Sequence, residues 1–167
     1  MNPNKGTSES QPMGRDVTNS VSRSVKWAVE YADEPGSMVA EVAGGAARGA
    51  VRAGYDLSFV GRNVMLGVLR GAVGADVSVV NLVRIASRAF ASDVAENGGD
   101  VEEAARGLTH GAIAGGSESG IPPGHAASAV AQGVLDAADA LGPSETERAA
   151  AVVTEVFQRR QGGGRKR

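Results

Sequence analysis

Apolar residues recur at intervals of three and four along most of the chain, and no segment bounded by turn signals alternates with a period of two. The first pattern predicts helices with one buried face, and the lack of the second predicts no sheet. From Asp16 to Asp33, the residues Val17, Val21, Val25, Ala28, Val29 and Ala32 share a face, and Trp27 and Tyr31 pair one turn apart beside it. Pro35-Gly36 ends this helix. A second helix is predicted from Met38 to about Ala53, capped by Ser37. After a break at Gly54-Tyr55, Asp56 caps a third, from Leu57 to Leu69 or beyond; one long helix through Gly54 is the alternative. Apolar over most of its circumference, the third helix belongs at the centre.

A fourth helix is expected from Val77 to Glu96 and ends at Asn97-Gly98-Gly99 in the manner of a glycine cap. Asp100 and Glu103 have capping-box spacing and open a fifth, to about Ala114. The segment 117–124, SESGIPPG, reads as a loop. A sixth helix follows from Ala126 to Leu141, and Ser144 with Glu147 opens a seventh to about Arg160. Polar residues 1–15 read as a disordered arm, and QGGGRKR, 161–167, as a flexible basic tail.

Certain phrases recur. Ala46-Ala47-Arg48-Gly49 returns at residues 104–107, Gly67-Val68-Leu69 returns at 133–135, and Phe90 finds a counterpart in Phe157. The expected fold is therefore an all-α bundle of six or seven helices. An N-terminal helix, 16–34, precedes two similar three-helix units, 37–98 and 100–160, and both ends of the chain are disordered. With 42% hydrophobic but only 4% aromatic residues, the core is built from Ala, Val, Leu and Gly, and such side chains need close helix contacts.

Glycines supply candidates for those contacts. Gly45 and Gly49, Gly67 and Gly71, and Gly107, Gly111 and Gly115 are spaced by four, which on a helix makes a flat strip for close backbone approach. A glycine inside a helix costs about 1 kcal/mol relative to alanine, and close packing is the compensation that physics offers. Such packing serves contacts within the chain first, and contacts with a second molecule or a lipid surface next.

Charge divides the chain. Arg48, Arg52, Arg62, Arg70, Arg84 and Arg88 make the first unit basic, and carboxylates dominate from Asp93 to Glu147, a layout that the net charge of −2 hides. Arg48, Arg52, Arg62 and Arg70 are candidates for contact with an anion or a partner. Complementary fields can hold the two units of one chain together or steer one molecule onto another, and a head-to-tail contact that does not close would propagate as a filament.

Catalytic chemistry has little to rest on. Gly115 to Gly120 has the outline of a phosphate loop but lacks its Lys-Ser/Thr, and follows a helical segment. His110 and His125 lie on different helices with no ligand set around them, and Asp136 and Asp139 read as a solvated face. No nucleophile–base pairing is apparent, so no catalytic, cofactor or metal residues are expected. The absence of cysteine fits a cytoplasmic protein. No uncharged apolar run reaches the roughly 20 residues that span a bilayer. The basic tail comes with no recognition motif or aromatic platform, so nucleic acid is not the expected partner.

The A-A-R-G and G-V-L-R-G-A-V-G phrases resemble Ala/Gly-rich repeat proteins of bacteria, mainly in composition, over Met38 to Leu141. Phasins, which coat storage granules, are likewise alanine-rich, cysteine-free and helical, although no phasin motif is present. The leading expectation is a non-enzymatic structural or interaction protein that forms a homo-oligomer or binds another protein. The alternative is a phasin-like protein that lays amphipathic helices on a membrane or granule surface.

Overall fold

A computed structural model describes residues 5–163 of the chain, and the side chains of residues 13–162. Among the described residues there are eight helices and no strand. They are α1 (Lys5–Tyr31), α2 (Pro35–Ala53), α3 (Leu57–Ala72), α4 (Val79–Glu96), α5 (Val101–Glu118), α6 (Pro123–Asp136), α7 (Ala138–Leu141) and α8 (Pro143–Gly163). The fold is all-α and helical-repeat-like. Among the described residues no helix is long and apolar enough to cross a membrane.

The helices form two layers. In the first, α3 lies between α1 and α5; in the second, α4 lies between α2 and α6. α8 packs across both α5 and α6 and covers that end of the stack. The core runs between the layers, through Val39, Val64, Met65, Leu69, Val83, Phe90, Leu108, Val130 and Val134, all fully buried. α3 is central, as its apolar circumference requires.

Local chemistry sets the helix ends. The Asp56 side chain accepts from the Phe59 N–H at α3, the Ser78 hydroxyl from the Asn81 N–H at α4, and the Asp100 side chain from the Glu103 N–H at α5. Gly54 and Gly98 follow α2 and α4, and Gly142 follows α7, the short turn after α6, with positive φ values of 71°, 78° and 81°, which a side chain would disfavour. They stand about 44 residues apart, within the range of stacked helical repeats. Glu34, Ser78 and Pro122, which precede α2, α4 and α6, keep the same interval.

This interval makes the helix pair the repeating unit. The pairs are α1–α2, α3–α4 and α5–α6, with α8 in the place of a further first helix. Geometric equivalence thus runs by pairs, whereas the sequence phrases suggested triplets at 37–98 and 100–160. Ala46–Gly49 belongs to the second helix of one pair and Ala104–Gly107 to the first helix of another, so those phrases are not equivalent in space.

Several boundaries also differ. α1 already packs on α3 at Gly14, near Phe59 and Asn63, and the helix extends back to Lys5 through most of the expected arm. Residues 1–4 lie outside the described residues. α2 starts at Pro35, well suited to a first helical turn, and Ser37 donates to Glu34 Oε2 at 3.0 Å instead of capping the helix. α5 absorbs Ser117 and Glu118 from the expected loop. Ala137 separates the last turn of the expected sixth helix as α7. Gln161 to Gly163 continue α8, and Arg165, Lys166 and Arg167 of the expected tail lie outside the described residues.

Candidate functional site

The glycine strips sort into two groups. Gly67 of α3 faces Thr18 and Val21 of α1, and Gly71 faces Ser22, Val25 and Lys26. One repeat later, Gly111 of α5 faces Arg62 and Met65 of α3, and Gly115 faces Leu66 and Leu69. Each of these residues except Lys26 has its counterpart one repeat interval away. Gly107 packs on the Ser58 backbone of α3. Gly115 makes room for the Leu66 and Leu69 side chains, and Gly67, Gly71, Gly107 and Gly111 let first-layer helices approach backbone to backbone. Gly61, on Ala104 and Leu108, does the same from α3. In the second layer Gly44 makes room for Asp93, and Gly133 packs on the backbone of Arg84 and Arg88. Gly44, Gly61 and Gly133 were not among the glycine strips read from the sequence, because none of them has another glycine four residues away.

Gly45 and Gly49 do not join a helix contact within the chain. The nearest atom to a Cβ on Gly45 belongs to Arg48, its own neighbour, and nothing lies within 4 Å of one on Gly49. Their counterparts one repeat later are Ala89 and Asp93, and one more brings Gly133 and Ala137. Gly133 and Asp93 meet the preceding second-layer helix. Among the described residues no second-layer helix precedes α2, so Gly45 and Gly49 lie on an open edge of the array.

The arginines divide in the same way. Arg48 pairs with Asp93 at 2.7 Å, joining α2 to α4. Arg70 makes two bonds of 3.1 Å to Glu118, joining α3 to α5. Arg84 pairs with Asp136, joining α4 to α6, and Gln132 adds a second bond to that carboxylate. Hydrogen bonds from Arg70 and Arg84 hold Glu118 and Asp136 below the usual carboxylate range. Asp136 is therefore a bonded partner and does not belong to an idle solvated face. The basic and acidic stretches meet inside one chain. Arg106 and Arg148, close to Glu155 and Glu102, extend this pattern to α8. Arg52 and Arg62 are exposed and make no ion pair among the described residues.

Arg62 lines a surface cavity of about 330 Å³ with Asp56, Ser58, Phe59, His110 and Arg160. Burial, followed by the charges of Arg160, Arg62 and Arg106, pushes the His110 imidazole below its ordinary pKa and so favours its neutral form. Among the described residues no group of three or more His, Asp or Glu side chains is placed to hold a metal ion.

The open edge formed by α1 and α2 is the more distinctive surface. At the α1 positions equivalent to Gly67 and Gly71 stand Arg23 and Trp27. Trp27 is 52% exposed and lies 6.0 Å from Tyr31, centroid to centroid. Tyr31 is 70% exposed, and Tyr55, after α2, is 50% exposed. Tyr55 is the counterpart of Gly99, whose missing Cβ would point at Val51 of the preceding pair. Trp27 and Tyr55 thus occupy positions that meet a preceding repeat elsewhere in the array, and among the described residues no helix covers them. These three are the aromatic side chains with large exposure; Phe90 is buried, and Phe59 and Phe157 are partly so.

No protein-family model matches the chain, and the comparison with curated proteins finds no match. Among solved structures, the crystal structure of a de novo designed helical repeat protein is similar at 18% identity, over 89% of this chain and 96% of that one, with a TM-score of 0.36.

Proposed function

We propose that this chain is a non-enzymatic structural or interaction protein that associates with itself. One observation carries the reading: the array is covered by α8 at one end, while its other end exposes Trp27, Tyr31 and Tyr55 beside the uncovered Gly45 and Gly49. Terminal repeats of soluble arrays ordinarily present a polar outer face. Exposed aromatic residues are the side chains that contribute most to association when buried at an interface.

A phasin-like mode would have to take its apolar faces from the interior, since those of α2 to α6 are buried between the layers. Sedimentation velocity across a concentration series, at low and high salt, tests self-association. A sedimentation coefficient that rises with concentration is expected; a monomer at every concentration overturns the proposal. Co-flotation with liposomes or granules would favour the phasin-like mode instead.

A further inference from the structure

We infer that the partner at the open edge is a second copy of this chain, related by a two-fold axis, with α2 packed antiparallel against its counterpart; this rests on the self-association proposed above. Met38, Glu41, Val42, Gly45, Gly49 and Arg52 lie along the side of α2 turned away from α4, by their 3.6-residue spacing. Of their equivalents, Ile85 and Asp93 of α4 pack against Gly36 and Gly44 of α2, which fixes this side as the one that receives a preceding helix. The centre of the strip is small and its ends are oppositely charged.

The order of residues suits antiparallel pairing. With the axis midway between Gly45 and Gly49, Gly45 of each copy lies opposite Gly49 of the other. Glu41 then comes level with position 53, one residue from Arg52, at both ends of the contact. Neither Glu41 nor Arg52 has an ion-pair partner among the described residues, whereas Arg48 is already engaged by Asp93. A parallel arrangement in register would set Glu41 against Glu41 and Arg52 against Arg52. The aromatic residues flank the same contact. Trp27 and Tyr31 are next to the start of α2 and Tyr55 follows its end, so antiparallel copies bring the pair of one to the level of Tyr55 of the other. In the first layer, Arg23 and Trp27 replace the glycines that admit a preceding helix, so close approach is confined to α2. A two-fold contact of this kind is complete in a dimer.

The test is sedimentation velocity on the full chain and four variants, with circular dichroism to show that each is folded. Gly49→Leu meets open space in the monomer, so the fold tolerates it, while the leucine fills the site of close approach. We expect the wild-type dimer to weaken by about tenfold or more in this variant. Glu41→Arg and Arg52→Glu should each weaken it. An equimolar mixture of the two, or the double variant, should restore it, because each then sets opposite charges face to face. A wild-type dimer indifferent to Gly49→Leu, failure of the charge swap to restore binding, or growth beyond a dimer overturns the inference and leaves self-association standing. A wild-type monomer at every concentration overturns both.

Discussion

Gly107 of α5 lies directly over the carbonyl of Ser58 in α3, with no room between them for even a methyl group. Both contacting groups are backbone, so neither side can yield by turning a side chain. Gly107→Ala should therefore destabilise the fold by about 1–3 kcal/mol, the usual cost of overpacking. Gly49→Ala is the matched control: it meets open space and should stabilise α2 by about 0.5–1 kcal/mol. Urea denaturation of the two variants, monitored at a concentration where the chain is monomeric, checks the opposite signs.

Ser87 is a smaller misfit in the second layer. Its hydroxyl is buried and has no hydrogen-bond partner among the described residues, while Ala43 and Ala131 stand at the equivalent positions. Ser87→Ala removes an unsatisfied polar group and keeps the Cβ that packs near Gly133. A gain of about 1 kcal/mol or more is expected in the urea midpoint analysis.

His110 should make stability depend on pH on the acid side of neutrality. Its pKa is lowered in the folded chain, chiefly by burial, so below about pH 6.5 the unfolded chain takes up a proton that the folded chain resists. Stability then falls as pH drops through that value, and the loss levels off once the folded imidazole is protonated too. The difference in melting temperature between pH 7.5 and pH 5.5 should shrink in His110→Gln.

Glu103 has the opposite displacement. Burial, then its hydrogen bond and charge repulsion with Asp56, raise its pKa, while the Leu57 and Ser58 N–H groups act in the other direction. The folded chain therefore holds this proton more tightly than the unfolded chain, and the associated stability is lost as pH rises through the raised pKa. Glu103→Gln keeps an acceptor for the Leu57 N–H, 3.1 Å away, and removes the repulsion. Thermal melts should show the variant more stable than wild type at pH 7, with the advantage fading near pH 4.

Most helices were legible because their ends are written locally. Asp56 and Asp100 cap where their spacing said they would, and Gly54 and Gly98 mark helix ends. The strips Gly67–Gly71 and Gly107–Gly111–Gly115 were recognisable as packing surfaces because spacing by four is a property of one helix. What each strip faces is not. Thr18 and Val21 bear no resemblance to Arg62 and Met65, yet the two pairs fill the same role in successive repeats, since backbone atoms and small volumes make these contacts. The repeat is carried by caps and sizes, so matching letters such as Ala46–Gly49 and Ala104–Gly107 pointed to the wrong alignment. Its best sequence signal was the even spacing of Gly54, Gly98 and Gly142. Tyr55 gave no such signal: its importance lies in standing where the other pairs have Gly99 and Pro143.

That spacing also makes the length of the molecule adjustable in whole steps. Excising residues 56–99 would join Tyr55 to Asp100, which already does for α5 what Asp56 does for α3. Thr18 and Val21 would then meet Gly111 in place of Gly67, and Ser22 and Val25 would meet Gly115 in place of Gly71. Both ends of the array, with their different surfaces, would be kept. Gain or loss of a middle pair is thus a route by which such a chain can grow or shrink in evolution without redesigning either terminus.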